Sequence, residues 1–526
     1  MSKLIDRIAK RLGYVKRESA GFPAARIDRL TADWTTSTLS SDGQLYSDLR
    51  TLRARSRALR DGNDYANKFI GMVKSGVLGP EGINLKMKAR ELSRTVKGKV
   101  IKGPLDERAN AELQEAWRVW GKKENCTVTG TLTWRDVQNI AMEAVATDGE
   151  VLIRKVRGWD NPFGFALQIL ESDYLDIDKN EQRPNGNSIR MGVEVDPWHK
   201  PIAYWILRRN PNDAWWFSTT STLRSEPIPA EDFIHAFLPR RPEQSRGWPW
   251  MATAMLRMKM LGAYQDGEVT AARVAACKMG FLETTGDTKY EGEDDGSGNK
   301  IMEAQPGSFE TLPMGMKLSS WDPQHPNTAF GAFVKDCIRG FSAGLNVGYN
   351  SLANDFESVN FSSARYATQE EREFFKSMQQ WAIDQICQPV FEEWLWMTLM
   401  NRAVNLPETK FDKFNAADWR GRRWSYINPV DEIKANNDAI GNGLTSRTRV
   451  LAEMNIDIED VYQELKAEED LADALDLVVP YHPFYYGQVS GKLDEEEQAK
   501  PGQPAIGKPK DEGEKEQVEE PDEDDE

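Results

Sequence analysis

Residues 348–369 read GYNSLANDFESVNFSSARYATQ, and the segments on either side of them set the architecture. Upstream, Phe330, Phe333, Val334, Cys337, Ile338, Phe341 and Leu345 follow the three-and-four spacing of a single apolar stripe. This predicts a helix over 326–345 with Asn327 as its N-cap. Downstream, Thr368 and Glu371 have the spacing of a capping box. Phe374, Phe375, Met378, Trp381 and Ala382 then line one side of a second helix, which Pro389 should kink. Between the two helices the Asn, Ser, Asp and Gly residues favour turns. A loop of about twenty residues inside a compact domain is uncommon and usually functional.

Working outward, a helix is predicted over 106–122, with Leu113, Trp117 and Trp120 on one face and Gly121 near its end. A second spans about Trp134 to Thr147. Strands are expected at Val151–Val156, Ala166–Leu170, Ile189–Val195 and Ile202–Leu207, separated by the turns Pro184-Asn-Gly186 and Asp196-Pro197. These describe an α+β unit with an antiparallel sheet. A long helix should start near Pro249 and reach about Cys277, ending in the small-sided run Ala271 to Cys277. Short strands at Phe281–Thr284, Ile301–Glu303 and Leu318–Trp321 would surround the acidic loop Tyr290–Gly298. A returning strand is placed at 424–428 and helices at 429–440, 446–454 and 458–475, Gly441 closing the first and Asp457 capping the last. The fold class is α+β, mostly helical.

At 526 residues, with 40% hydrophobic and 29% charged residues, the chain can bury a large core. No apolar run reaches eighteen residues, so no transmembrane helix is expected, and the basic N-terminus MSKLIDRIAKRLGYVKR lacks the apolar stretch of a secretory signal. Cys126, Cys277, Cys337 and Cys387 are scattered, which argues against a zinc site or a disulfide scaffold. Charge is uneven. Residues 1–103 hold 22 Lys and Arg against 10 Asp and Glu, a net of +12, while residues 491–526 hold 15 Asp and Glu against 5 Lys, a net of −10. With −16 overall, the middle is acidic as well. The end of the chain has too little apolar content to offset the entropy of ordering, so a disordered acidic tail is expected over 481–526.

Enzyme motifs mostly fail. Gly502 to Lys508 has phosphate-loop spacing, but Pro509 stands where a Ser or Thr must ligate magnesium. His199, His235, His325 and His482 are isolated in sequence and read as structural. Asp173, Asp176 and Asp178 could in principle hold a cation, though a solvated strand and turn is the better reading. No catalytic residue, metal ligand or cofactor site is assigned. Arg50, Arg53, Arg57 and Arg60 share one helix face. They suit contact with DNA phosphates or, in the reading favoured here, ion pairs with a neighbouring subunit.

Three stretches together resemble the lambda-type portal proteins (head–tail connectors) of tailed double-stranded-DNA bacteriophages. They are Tyr349 to Arg365, Asp48 to Arg60 followed by Asn63-Asp-Tyr-Ala66, and Arg246-Gly-Trp-Pro-Trp250 leading into an Ala-rich helix. The resemblance runs from about residue 40 to about residue 475. It implies a basic arm (1–60), a wing (61–248), stem helices (249–277 and 326–345) around a clip (278–325), and a channel loop (346–367). It further implies a kinked helix with a wing return strand (368–428), crown helices (429–480) and the acidic tail (481–526). About twelve copies would form a cyclic ring at one capsid vertex, without catalytic activity. Double-stranded DNA would be packaged and ejected through the ring without sequence preference. Terminase, a head–tail adaptor and the major capsid or scaffold protein would dock on it, and no membrane would be involved. The location would be the virion, and the host cytoplasm during assembly. Asn350, Asn354, Asp355, Glu357, Asn360 and Arg365 would line the DNA path. A metal-dependent DNA-processing enzyme, such as a nuclease, is the alternative.

Overall fold

The computed structural model describes residues 29, 35–36, 38–91, 94–96, 99–101, 103–213, 224–276, 280–284, 316–320, 329–357, 360–424, 428–454, 456 and 458–475. Two compact units divide at residue 423.

In the first unit, α1 (Ser41–Gly62) and α2 (Asp64–Val77) are joined at Asn63, whose side chain accepts from the Ala66 amide and starts α2. The arm boundary expected at residue 60 therefore falls inside α1. This helix is packed, with Leu45 and Leu49 against Ile177 and Met191. After β1 (Asn84–Met87) and the hairpin β2–β3 (Arg94–Val96, Lys99–Ile101), α3 (Glu107–Trp120) and α4 (Trp134–Asp148) match the predicted helices closely. A capping box opens α4, with Thr133 and Asp136 bonding each other's backbone amides. Trp117, Trp120, Trp134, Phe391, Trp394 and Trp419 form one aromatic cluster, with Trp117 central to it.

Two antiparallel sheets follow. One has the order β11-β4-β5 (Phe233–Phe237, Glu150–Arg157, Phe165–Leu170). The other runs β10-β9-β8-β7-β6 (Ser225–Pro229, Pro201–Leu207, Val193–Val195, Ser188–Arg190, Glu181–Gln182). The expected strand Ile189–Val195 is split into β7 and β8. Met191 and Gly192 both take positive φ, and a Cβ on Gly192 would lie 2.7 Å from the Asp176 carbonyl oxygen. The chain turns tightly there because glycine permits it.

The helix expected from Pro249 begins as a short 3₁₀ turn, Trp250–Thr253, before α5 (Met255–Ala276). Cys277 lies outside the described residues. Strands β12 (Gly280–Thr284) and β13 (Met316–Ser320) pair antiparallel, as expected for two of the three short strands. Ile301–Glu303 and the acidic loop lie outside the described residues, as does Asn327. Helix α6 (Phe330–Leu345) is present, but within this chain only Ile338, Phe341 and Leu345 of its apolar stripe are buried.

Beyond α7 (Tyr349–Ala353), α8 (Phe361–Ala382) starts seven residues before the predicted Thr368. A π-turn over Ile383–Cys387 leads into α9 (Gln388–Met400), so the irregularity predicted at Pro389 is realised just ahead of it. Proline has no amide to continue the regular ladder, and the chain widens by one residue before it. Residues 425–427 of the return strand expected at 424–428 lie outside the described residues, and a strand is present at β14 (Ala417–Arg420). It pairs with β1 in the register Asn84↔Arg420 to Met87↔Ala417, which brings Trp419 to the aromatic cluster.

The second unit contains α10 (Pro429–Gly441), α11 (Arg447–Glu453) and α12 (Ile458–Ala474), within a residue or two of the predicted helices. Asp457 and residues 476–526 lie outside the described residues.

Candidate functional site

The sequence singled out two places, the 348–369 segment and the arginine face. Folding gives both a definite geometry.

The expected long loop is mostly helical. Asn350 lies within α7, and Asn354 ends it in the left-handed conformation at φ 53°. Asn360 accepts from the Ser363 amide at 2.8 Å and starts α8. Asn and Ser, read as turn formers, serve here as helix ends, because a side chain that competes with the backbone is favoured at caps. Only residues 354–360 connect the two helices. Asp355 is anchored, accepting from the Tyr349 hydroxyl at 2.7 Å and pairing with Lys335 on α6 at 2.9 Å. These bonds hold its carboxyl below the usual carboxylate range. Burial, with Asp355 alongside, pushes the Tyr349 phenol up to about 12. Glu357 and, on the second turn of α8, Arg365 are exposed. The capping box expected at Thr368 and Glu371 does not form. The Glu371 carboxylate instead accepts from Ser351 Oγ at 2.8 Å and the Gly348 amide at 3.3 Å, bracing the start of α7.

The arginine face meets carboxylates of its own chain. Arg53 donates to Glu150 Oε1 at 2.6 Å, and Arg57 grips Asp148 through two bonds of 2.8 and 2.7 Å while pairing with Asp173 at 2.6 Å. Arg50 pairs with Asp178 at 2.5 Å and Arg60 with Glu143 at 3.0 Å. The carboxylates expected from a neighbouring subunit come from this same chain. Asp173 and Asp178, read as a solvated turn, are among them. Arg53 is buried and cannot touch DNA or a neighbour, whereas Arg50 and Arg60 keep partly exposed side chains.

The centre of this network is Glu150, which sequence reasoning missed. It opens β4 and is fully buried. Arg246 Nη2 donates to its Oε1 at 2.6 Å, the Gly247 amide to its Oε2 at 2.8 Å, and His235 Nε2 lies 3.0 Å away. Arg246 also donates to the carbonyls of Met191 and Ser172, so its fork is used in several directions. Burial alone would raise the Glu150 pKa, but Arg246, Arg53 and His235 outweigh it and hold the carboxyl well below the usual range. Burial lowers the His235 pKa despite Glu150. Gly149 and Gly247 let two chain segments touch here, since a Cβ on Gly247 would sit 2.1 Å from the Gly149 carbonyl oxygen. Arg53 and Arg246 thus bring two of the sequence motifs to one carboxylate. At its centre Glu150, Arg53, Arg246 and the His235 ring are buried and hydrogen-bonded to one another, while Arg57 and Asp173 keep some exposure. Among the described residues no group of His, Cys, Asp and Glu is arranged to hold a metal ion, and no helix is long and apolar enough to cross a membrane.

Residues 28–379 match the family model described as phage portal protein, lambda family. The chain is 32% identical over 467 residues to the probable portal protein of Halomonas phage phiHAP-1, covering 88% of each. This chain belongs to the lambda family of phage portal proteins. It is also 21% identical over 470 residues to portal protein B of Escherichia phage lambda, covering 82% of this chain and 85% of that one. At 22% identity it matches the portal protein of Escherichia phage N15, with 68% and 74% covered. Similar solved chains occur in the neck of the empty gene transfer agent particle (TM-score 0.43) and in the native virion of that particle (TM-score 0.41). Each is 10% identical and covers 78% of this chain and 93% of its own. Family membership makes this a portal protein and displaces the nuclease alternative. The arginine and Glu150 cluster is accordingly a structural joint inside a portal subunit.

Proposed function

We propose that about twelve copies of this chain close into a ring at one capsid vertex of the virion, and that double-stranded DNA enters and leaves through it. The observation that carries this reading is the surface of the helix pair α5–α6. Leu256 is 72% exposed, Met260 64%, Val269 69% and Phe333 53%. A groove of about 600 Å³ between the two helices is lined by Met260, Leu261, Tyr264, Phe333 and Cys337. Apolar surface of this extent on a lone protomer marks an interface. Heterologous contacts between copies through such a surface close into a ring when the rotation permits.

DNA transit fits the charge pattern. DNA carries about one charge per 1.7 Å, and each phosphate neutralised adds to binding, so a channel rich in free cations would grip rather than slide. The body between the basic head and the acidic tail is itself acidic. The connection 354–360 is the segment proposed to face the DNA, with Asp355 and Glu357 against Arg365 giving weak contact without sequence preference. Terminase, a head–tail adaptor and the major capsid or scaffold protein are the proposed partners. The subunit itself is proposed to catalyse nothing.

Negative-stain imaging and mass photometry of the folded full chain are expected to find closed rings, and a folded monomer or dimer alone would overturn the proposal. Removing Asn354 to Ser358 is expected to leave rings intact while impairing packaging or retention of DNA. Wild-type packaging by that variant would remove the connection from the DNA path.

A further inference from the structure

Helix α6 carries three charged residues, Lys335, Asp336 and Arg339. Lys335 and Arg339 lie one turn apart on a single face, and both reach the segment that follows the helix. Arg339 pairs with Asp336 at 3.2 Å and lies 5.2 Å from the centre of the Tyr349 ring. Lys335 is paired from outside the helix. Its ammonium is 2.9 Å from Asp355 Oδ2, the same oxygen that accepts from the Tyr349 hydroxyl at 2.7 Å. By itself α6 has one positive charge in excess, and Asp355 brings the group to neutrality.

The Lys335–Asp355 pair does little to hold the chain in place. Glu371 already braces Gly348 and Ser351, and the Asp355 amide donates to the Asn350 carbonyl at 3.2 Å. An ion pair whose lysine side chain is 42% exposed adds little stability. Its main consequence is electrostatic. Lysine is a compact charge on a flexible stem, so without Asp355 it would turn to any anion passing the connection.

We infer, on the proposed path of DNA past residues 354–360, that Asp355 masks Lys335 from DNA phosphates. Tyr349 holds the Asp355 carboxylate where it meets the lysine. In a ring of about twelve copies the masked lysines share one level of the channel, by symmetry. Each lysine set free to neutralise a phosphate would add to the grip on DNA through counterion release and slow its passage. Asp355 is thus a positioning residue that keeps the connection slippery.

Rings made from four versions of the full chain test the mask: wild type, Asp355→Asn, Lys335→Met, and both together. Fluorescence anisotropy of a short double-stranded DNA across salt concentrations reads binding, and the yield of DNA-filled particles reads packaging. Asp355→Asn is expected to steepen the fall of log affinity with log salt by about 0.9 or more, the increment of one phosphate, and to lower packaging. Lys335→Met is expected to match the wild type in both, and the double variant to return to wild-type values. If Asp355 only anchored the connection, Lys335→Met would break the same pair and package as poorly, and the double variant would not recover. That pattern would overturn the mask, as would a wild-type salt slope in Asp355→Asn rings.

The chain lacking Asn354 to Ser358 separates the two ways of failing. Normal packaging by that deletion overturns the DNA path, and the mask with it. Impaired packaging by the deletion, with Asp355→Asn like the wild type, overturns the mask alone. If Asp355→Asn forms no rings in mass photometry, Lys335→Met rings decide. Wild-type binding and packaging support a masked lysine, whereas a shallower salt slope means that Lys335 already touches DNA and overturns it.

Discussion

The Glu150 cluster and the α5–α6 helix pair handle their awkward surface in opposite ways. Around Glu150, three guanidinium groups (Arg53, Arg57, Arg246) meet three carboxylates (Asp148, Glu150, Asp173), all within one chain and largely out of water. On the helix pair, Leu256, Met260 and Val269 face outward without cover. The charges are neutralised inside the subunit, whereas the apolar surface is left for something else to bury. In the proposed ring, the difference separates what a subunit must finish before assembly from what assembly finishes. A buried ion left unpaired costs several kcal/mol and cannot wait for a partner. An exposed apolar stripe costs little until it is buried, and its burial then drives association.

The largest effect expected is at the closed end of this contrast. Glu150→Gln removes the ion-pair partner of buried Arg246 and leaves Arg53 only Asp173 at 3.6 Å, and it should cost about 3–5 kcal/mol, read as a lower urea midpoint of the full chain. A cost under about 1 kcal/mol would mean that the cluster is not an obligatory joint.

Acid should loosen the same joint in two steps. His235 has a folded pKa below its unfolded value, so the unfolded chain takes up the proton first, and stability should begin to drop as pH falls below about 6.5. Glu150 also has a depressed folded value. Its contribution is complete above the ordinary carboxylate range and is lost as pH falls from there through the folded value. Urea midpoints measured across pH should slope downward between about pH 7 and 5 in the wild type, and His235→Phe should flatten that slope. An unchanged slope in the variant would place the titrating group elsewhere.

At the open end, Leu256→Glu with Met260→Glu should change protomer stability by no more than about 0.5 kcal/mol, since both side chains already face solvent. The same pair should abolish rings in mass photometry. Full-sized rings from this variant would place the interface on another surface, and a large loss of protomer stability would mean that the stripe is packed within the chain.

The sequence alone determined a good deal of this protein. Periodic apolar spacing placed α3, α4 and the helices of the second unit within a residue or two, because each has a clear stripe or a strong cap such as Thr133 with Asp136. The three motifs, read together, pointed to the portal family that the relatives then showed. Other features were decided only by the tertiary structure. Asn354 and Asn360 have the composition of a loop, and whether such residues make turns or end helices depends on what their neighbours do next. Glu371 has the right spacing to cap its own helix, yet it braces α7 because the fold brings Gly348 and Ser351 within reach. The spacing of Arg50, Arg53, Arg57 and Arg60 defined a charged face but not its partners. Those partners lie about 80 to 130 residues away in sequence, where local periodicity carries no information. Glu150 gave no signal at all, since a single carboxylate at a strand start is ordinary until folding surrounds it with Arg53, Arg246 and His235.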